Sequence, residues 1–207
     1  MRSRYTDKET LEIYTMVMAG KINTQLVSMF NAHKINAVGL SGVDAFMISA
    51  SRKKRLLIID ERGRKVAIDG GYTGKIETIR KDILTILLKE KFLPVISPIA
   101  LDDEFNILNI DSDRAAAYIA GALKADALIM CTNVPGVKLM GKTVGKMGNY
   151  YAKENLSKIG HGMKKKVYAA LESLNLGVRE IIITSGLIEH PLISAINHKA
   201  GTLIVNE

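Results

Sequence analysis

The sequence predicts an α/β fold, a three-layer αβα sandwich in which helices cover both faces of a mainly parallel β-sheet. Continuous runs of Ile, Val and Leu alternate along the chain with segments of helical periodicity. Such runs are typical of strands that are buried on both faces of a parallel sheet. The 207 residues, 47% apolar and 24% charged, suit one substantial globular domain or two small ones.

The first half begins with a long amphipathic helix from Asp7 to about Lys34, whose apolar residues recur at helical spacing. "INAVGLSG" follows as a short buried strand. The segment "AFMISASRKKRLLIIDERGRKVAIDGGYTG" predicts antiparallel strands with turns at "SRKK" and "ERGR" and a loop at "DGGYTG". A helix over "KIETIRKDILTILLKE" and a continuous strand over "FLPVISPIAL" complete this half.

The second half repeats the alternation. A helix from about Asp111 to Lys124 precedes the strand "ALIMCT", and a later helix in "GHGMKKKVYAALESLNLG" is closed by Gly177 as a C-cap. The strand "REIIITSG", the short helix "PLISAINH" and the strand "TLIVNE" end the chain. Because parallel sheets bind ligands at the carboxyl ends of their strands, we expect a site at "PIALDDEFNILNIDSD", "TNVPGV" and "TSGL".

Charge and cysteine content narrow the range of partners. The 29 Lys and Arg exceed the 21 Asp and Glu, and a formal charge of +8 suits nucleotides, phosphates, nucleic acid or an acidic protein. With no Trp and 5% aromatic residues, we expect no nucleic-acid partner. A polar N-terminus and short apolar runs predict neither a signal peptide nor a membrane span. The single cysteine, Cys131, fits a reducing cytoplasm and is expected to be an inert core thiol.

Acidic residues open the alanine-rich helix of "LNIDSDRAAA". Asp111 or Ser112 can serve as its N-cap, and Asp113 falls in its first turn, where a carboxylate interacts favourably with the helix dipole. These residues could simply cap the helix. Alternatively, Asp113 could orient cationic side chains around a phosphate, while Asn109 offers its amide to a substrate.

The segment "GHGMKKKVYAALE" has the opposite charge at a helix start. Gly162 is expected just before the helix, so that Lys164, Lys165 and Lys166 lie near its positive N-terminus. Positive charges at the positive end of a helix dipole destabilise the helix. A run of three lysines is nevertheless most often a solvated basic face. The same cluster is well placed to bind phosphate, and a broken local rule indicates function.

Five segments together resemble the amino acid kinases, and within them the acetylglutamate kinase group. They are "SRYT", "LNIDSDRAA", "ADALIMCTNVPGV", "GHGMKKKVYAALE" and "AGTLIV", in the family's order and across essentially the whole chain. "RSRYT" is most similar to the branch that phosphorylates aminoadipate or glutamate held on a small acidic carrier protein, in lysine and arginine biosynthesis. The resemblance implies an amino acid kinase-like fold, with residues 1–100 as a partial amino-acid-substrate lobe and residues 101–207 as the nucleotide-binding lobe.

The resemblance also implies roles for single residues. Arg4 would grip the region of the substrate's side-chain carboxylate, and Asn109 would contact the substrate. Asp113 would organise the catalytic lysines, and Lys166 would stabilise charge on the transferring phosphoryl group, so these two side chains are expected to meet beside the terminal phosphate. The nucleotide would be bound by one loop and by a segment opposite it: Asn133, Val134, Pro135, Gly136, Val137, Lys138 and Leu139, with Lys158, Ile159 and Gly160.

ATP and Mg²⁺ are the cofactors that the resemblance implies, the ion being held largely by phosphates and water. The nucleophile would be a carboxylate, which is ionised at neutral pH and needs no general base. The four histidines show no metal-ligand spacing, so we expect no metal site built from protein side chains. In related kinases the helix that corresponds to the first one here helps to form a dimer, so a homodimer is expected.

Two features depart from the family pattern. The nucleotide loop usually reads Asp-Val-x-Gly, whereas Asn133 begins it here and retains an acceptor oxygen without the charge. The family also begins with a Lys-x-Gly-Gly phosphate loop and a His-Gly-Gly turn, and neither occurs in this sequence. We therefore expect an N-terminally truncated reading frame or a mis-assigned start, which leaves the substrate half partial and the activity of this chain uncertain.

Three functions remain open at this point. A carrier-bound substrate is favoured by the positive charge. The basic segment "SRKKR", which we expect at a hairpin tip, could contact the carrier, although an ordinary solvated turn is the simpler explanation. Free N-acetylglutamate is a second possible substrate. An inactive nucleotide-binding homologue is the third, because the lysine-glycine loop is not in the sequence.

Overall fold

Helices and strands alternate along the chain, which confirms the α/β class. The computed structural model describes residues 5–59 and 63–207. The helices are α1 (Lys8–Thr15), α2 (Asn23–Ala32), α3 (Asp82–Lys89), α4 (Ser112–Leu123), α5 (Asn149–Glu154), α6 (His161–Asn175) and α7 (Pro191–Ile196). The strands are β1 (Ala37–Ser41), β2 (Ile48–Arg52), β3 (Arg55–Ile59), β4 (Lys65–Asp69), β5 (Gly74–Ile79), β6 (Leu93–Ser97), β7 (Ile99–Leu101), β8 (Ile107–Asn109), β9 (Ala127–Thr132), β10 (Lys138–Leu139), β11 (Lys142–Thr143), β12 (Lys146–Gly148), β13 (Glu180–Ser185) and β14 (Thr202–Val205).

The chain divides into two units, residues 1–115 and 116–207. The division falls inside α4, fifteen residues after the lobe boundary expected between residues 100 and 101. Within the described residues, no helix is both long enough and apolar enough to cross a membrane.

The first helical segment, residues 8–32, lies within the predicted bounds but is less regular than its periodicity predicts. Asp7 caps α1 by accepting a hydrogen bond from the Thr10 amide at 2.8 Å. The segment between α1 and α2, Met16–Ile22, is a π-helix, a form that usually occurs only as short insertions. The Ser97 hydroxyl donates to the Met18 carbonyl at 2.9 Å, so a strand of the unit holds the centre of this segment.

Unit 1 contains parallel and antiparallel strand pairs. β1 pairs with β6 in parallel, and a second sheet has the order β5-β2-β7-β8. β3 and β4 form a separate antiparallel pair. Because β2 pairs with β5 and β3 pairs with β4, "SRKKR" is a turn between two ladders, and the expectation of a hairpin tip there is wrong. The predicted "ERGR" turn lies partly outside the described residues.

Two other segments of unit 1 differ from expectation. "KIETI" was assigned to a helix, but Gly74–Ile79 is strand β5, because alternate residues such as Ile76 are buried against β2. The expected strand "FLPVISPIAL" divides at Pro98 into β6 and β7. The latter pairs with β8 in a hairpin that the sequence assigned to a loop.

Unit 2 is built on one four-stranded sheet, in the order β12-β14-β13-β9. β13 pairs with β9 in parallel over six residues, from Glu180↔Ala127 to Ser185↔Thr132. Ile181, Ile183 and Ile204 are fully buried in one apolar cluster with residues of α6. The carboxyl ends of β9 and β13 therefore lie side by side, as the sequence predicts.

Candidate functional site

In unit 1, Asn109 is held at the end of β8 by contacts from distant segments. Its side-chain Nδ2 donates to Thr6 Oγ1 at 3.0 Å, and its backbone amide donates to the Tyr72 carbonyl at 2.9 Å. The Tyr72 amide in turn donates to the Thr6 carbonyl at 2.7 Å. Thr6 is 1% exposed, so a buried residue fixes the orientation of the half-buried Asn109 carboxamide.

The "DGGYTG" loop closes around the same point. A side chain at Gly71, whose φ is +56°, would meet the Thr6 carbonyl at 2.3 Å, so glycine is required by close approach as well as by conformation. Asp69 Oδ1 accepts from the Gly71 amide at 2.8 Å and forms an ion pair with Arg52. The Gly71 hydrogen bond, followed by Arg52, holds the pKa of the Asp69 carboxyl below its ordinary value.

The structure identifies which of the acidic residues at the start of α4 caps the helix. Asp111 is the N-cap, because its Oδ1 accepts from the Arg114 amide at 3.2 Å and its carbonyl accepts from Ala115 at 2.9 Å. Asp113 is half-buried in the first turn of the helix. Arg4 lies outside the described residues.

In unit 2, the expected nucleotide loop leaves the carboxyl end of β9. The Gly186 amide donates to the Thr132 carbonyl at 2.8 Å, which places the "TSGL" segment beside "TNVPGV". Asn133 and Pro135 are exposed, whereas Val137 is fully buried. The first residues of the loop therefore lie at the surface, and its last residues are held in the core.

Thr202 fixes that anchor, a role that the sequence analysis does not predict. Its Oγ1 accepts from the Val137 amide at 2.8 Å and donates to the Val144 carbonyl at 2.6 Å. A side chain at Gly136 would approach this oxygen to 2.6 Å, so glycine is needed for the contact. The only sequence signal was the resemblance of "AGTLIV" to the end of the family.

The segment Lys158–Gly160 lies just before α6. Lys158 Nζ donates to Asn155 Oδ1 at 2.9 Å, and Ile159 is buried in the same apolar cluster as Val137 and Leu139. Both expected nucleotide-binding segments of unit 2 are thus anchored on one core. Gly160 is the N-cap of α6.

The N-terminus of α6 suits a phosphate group. The helix begins at His161, so Gly162 lies in its first turn. The expectation that Gly162 precedes the helix is wrong. No side-chain hydrogen bond caps this end. Apart from adjacent residues and the nearby helix backbone, no described atom lies within 4 Å of a Cβ placed at Gly160 or Gly162. The first amides of a helix have no partner within the helix and can bind an anion. Lys164, Lys165 and Lys166 follow them as half-buried residues.

Cys131 does not occupy the core position that was expected. Its side chain is exposed, whereas the preceding Met130 is 4% exposed. Consecutive strand residues face opposite sides of a sheet, so Met130 takes the core position on β9.

The chain matches the description "Amino acid kinase family" over residues 1–185. A protein of Nitrosopumilus maritimus, provisionally named a LysW-aminoadipate/LysW-glutamate kinase, is 51% identical over 207 residues, which are 100% of this chain and 78% of that protein. The LysW-aminoadipate/LysW-glutamate kinase of Saccharolobus solfataricus is 45% identical over 207 residues, again 100% of this chain and 78% of that protein.

Solved structures agree on the fold. The N-acetylglutamate synthase of Neisseria gonorrhoeae, complexed with coenzyme A and N-acetyl-glutamate, superposes with a TM-score of 0.82 at 20% identity. The match covers 99% of this chain and 45% of that one. Since the family match extends over most of the chain and relatives at 45% and 51% identity align with all of it, the chain belongs to the amino acid kinase family.

Proposed function

We propose that the protein phosphorylates the side-chain carboxylate of aminoadipate or glutamate whose amino group is attached to LysW, using ATP. The observation that carries the proposal is the hydrogen bond from Asn109 to Thr6. It joins the "SRYT" and "LNIDSD" segments, which the resemblance assigns to substrate binding. The names of relatives at 45% and 51% identity supply the acceptor.

The chemistry requires little acid–base assistance. The substrate carboxylate oxygen attacks the γ-phosphorus of ATP, the bond from that phosphorus to the β,γ-bridging oxygen breaks, and ADP leaves with that electron pair. The carboxylate is already ionised at neutral pH, so catalysis depends on positioning and on cations around the phosphoryl oxygens. Lys166 would supply one such charge.

The nucleotide would be bound within unit 2. The open N-terminus of α6 fits phosphate oxygens, and the loop that begins at Asn133 would contact the nucleotide beside it. Mg²⁺ would neutralise phosphate charge while keeping most of its ligands from phosphate and water. Asp113 would take part in the same reaction by orienting cationic groups.

The acceptor can be identified by trapping the acyl phosphate as a hydroxamate in the presence of Mg²⁺ and ATP. LysW-aminoadipate, LysW-glutamate and free N-acetylglutamate should be compared at equal concentration. Product with a LysW-bound acceptor and none with N-acetylglutamate is the expected result. Product only with N-acetylglutamate would identify an acetylglutamate kinase. ATP binding without product from any acceptor would identify a nucleotide-binding protein and contradict the proposal.

A homodimer is part of the proposal. Five apolar side chains of the first helical segment are at least 40% exposed, an arrangement typical of a protein interface: Ile13, Met16, Val17, Leu26 and Met29. The π-helix Met16–Ile22 contributes Met16 and Val17 to this stripe.

Light scattering tests the dimer. Met29→Glu should convert the protein to a monomer, because it places a charge within the apolar contact. Ser28→Glu is the matched control, since its exposed side chain lies about 100° around the helix. A monomeric mass of the unmodified protein would contradict the proposal.

A further inference from the structure

We infer that Thr202 is a positioning residue for ATP, whose buried hydroxyl holds the loop Asn133–Leu139 in the conformation that binds the nucleotide. This role rests on the proposed function, which places the nucleotide at that loop. Thr202 lies 65 residues after Val137 in the sequence, at the start of β14. It would therefore act through the loop, without touching the nucleotide.

The loop is attached to the rest of unit 2 at its two ends. At its beginning, the Gly186 amide donates to the Thr132 carbonyl at 2.8 Å, and at its end the Val137 amide donates to Thr202 Oγ1 at 2.8 Å. Within the described chain, residues 134–136 form no backbone-to-backbone hydrogen bond. The path of these residues therefore depends on how the two ends of the loop are held.

The attachment at Val137 depends on one hydroxyl group. Thr202 Oγ1 accepts from the Val137 amide and donates to the Val144 carbonyl at 2.6 Å. The Val144 amide donates to the Val137 carbonyl at 2.9 Å, so these three hydrogen bonds close the base of the β10–β11 hairpin. A buried donor that loses its acceptor costs free energy. Removal of the hydroxyl is therefore expected to release the Val137 amide and, with it, the end of the loop.

The loop also packs closely against Thr202. Thr202 is fully buried, and a Cβ at Gly136 would lie 2.6 Å from its Oγ1 and 3.2 Å from its amide nitrogen. Because a contact of 2.6 Å is too short, Gly136→Ala would displace the loop from the threonine. The same contact can thus be disturbed from the loop and from β14, which provides two independent variants.

The strand that carries Thr202 also holds the chain beyond the hairpin. The Leu203 amide donates to the Gly145 carbonyl at 2.9 Å, and Leu203 is the register partner of Lys146 in β12. β12 continues into α5 and then into residues 158–160, the second segment that is expected to bind the nucleotide. The start of β14 therefore holds the chain on both sides of the hairpin, and the Thr202 hydroxyl is its contact with the loop.

Loss of this contact should weaken ATP binding without slowing the reaction itself. If the loop samples other conformations, the apparent Kd for ATP rises in inverse proportion to the fraction of molecules in the binding conformation. A fraction of about one tenth raises the Kd about tenfold. Saturating ATP restores the ordered loop, so kcat is preserved. The acceptor is proposed to bind in unit 1, so its KM is preserved as well.

The test compares variants that differ in the hydroxyl group. Thr202→Val keeps the side-chain shape and should raise the Kd for ATP, measured by calorimetry, and the KM for ATP about tenfold. Its kcat and its KM for LysW-aminoadipate should stay within about twofold of the unmodified protein. Thr202→Ser keeps the hydroxyl and should restore most of the ATP affinity. The matched control is Ile182→Val, which removes one methyl group from a buried position on the neighbouring strand β13; its Kd for ATP should stay within about twofold.

The outcomes separate the role of Thr202 from the proposed function. If the unmodified protein binds no ATP, or forms no hydroxamate with any acceptor, the proposed function fails. If it does both and Thr202→Val binds ATP with an unchanged Kd, the positioning role is overturned. An equal loss of ATP affinity in Thr202→Ser or in Ile182→Val would also overturn it, because the hydroxyl would then not be the cause. If melting curves show that Thr202→Val is unfolded, Gly136→Ala decides: a tenfold weaker Kd for ATP supports the role, and an unchanged Kd overturns it.

Discussion

Thr6 should control substrate affinity without touching the phosphoryl group. Thr6→Val keeps the side-chain shape and removes the oxygen that accepts from Asn109 Nδ2 at 3.0 Å. One hydrogen bond of this kind contributes about 1 kcal/mol net. We therefore expect the Kd for LysW-aminoadipate to rise about fivefold, while kcat changes little. The unfolding midpoint should fall by about 2–4 °C, because Thr6 is 1% exposed.

Thr6→Ser is the matched control, since it keeps the hydroxyl and removes only a methyl group. Its Kd should stay close to that of the unmodified protein. Calorimetry on both single variants, on Asn109→Ala and on the double variant Thr6→Val/Asn109→Ala then completes a double-mutant cycle. If Thr6 acts by orienting Asn109, the valine change should add almost nothing once Asn109 is gone. Full additivity of the two changes, to within about 0.3–0.5 kcal/mol, would refute the reasoning.

Three further predictions concern other parts of the chain. Lys166→Met should lower kcat by about 10²–10³-fold with little change in nucleotide affinity, whereas Lys165→Met should leave kcat within about threefold of the unmodified protein. Equal losses of kcat in the two variants, measured by hydroxamate formation, would contradict the role of Lys166. Because folding lowers the pKa of Asp69, its carboxylate stabilises the folded protein above the ordinary pKa of about 4, and this stabilisation is lost as the pH falls below that value. The difference in melting temperature between Asp69→Ala and the unmodified protein should therefore shrink below about pH 4. A constant difference down to pH 2 would exclude this cause. Thr184 is fully buried, and its hydroxyl has no hydrogen-bond partner among the described residues; Thr184→Val should raise the melting temperature by about 2–4 °C, and a fall would show that the hydroxyl is satisfied.

The sequence predicted best those elements whose boundaries depend on local chemistry. Helix α6 ends at Asn175, and Gly177 follows with a φ of +96°. The Val178 amide donates to the Ser173 carbonyl and the Gly177 amide donates to Leu174, which is the Schellman arrangement that a glycine C-cap allows. Strand β9 also has the predicted bounds, since its apolar run is flanked by polar residues.

Predictions failed where pairing between distant strands decides the structure. "KIETI" has helix-forming residues, but its pairing with β2 makes it a strand. The same long-range pairing moves "SRKKR" away from a hairpin tip. Cys131 was assigned to the core by the apolarity of its neighbours, and only the alternation of β9 shows that it faces outward.

The two parts of the candidate site differ in how far a sequence can reveal them. The nucleotide loop is one contiguous segment, so its residues could be proposed together, and only its anchor at Thr202 came from elsewhere in the chain. Asn109 depends instead on Thr6, which is 103 residues away, and on a glycine loop between them in the sequence. Such a site needs every one of those segments to fold before the amide is oriented, since no single contact holds it. A substitution at Thr6 or Gly71 should therefore weaken substrate binding through the orientation of Asn109, although neither residue carries a chemical group that the reaction uses.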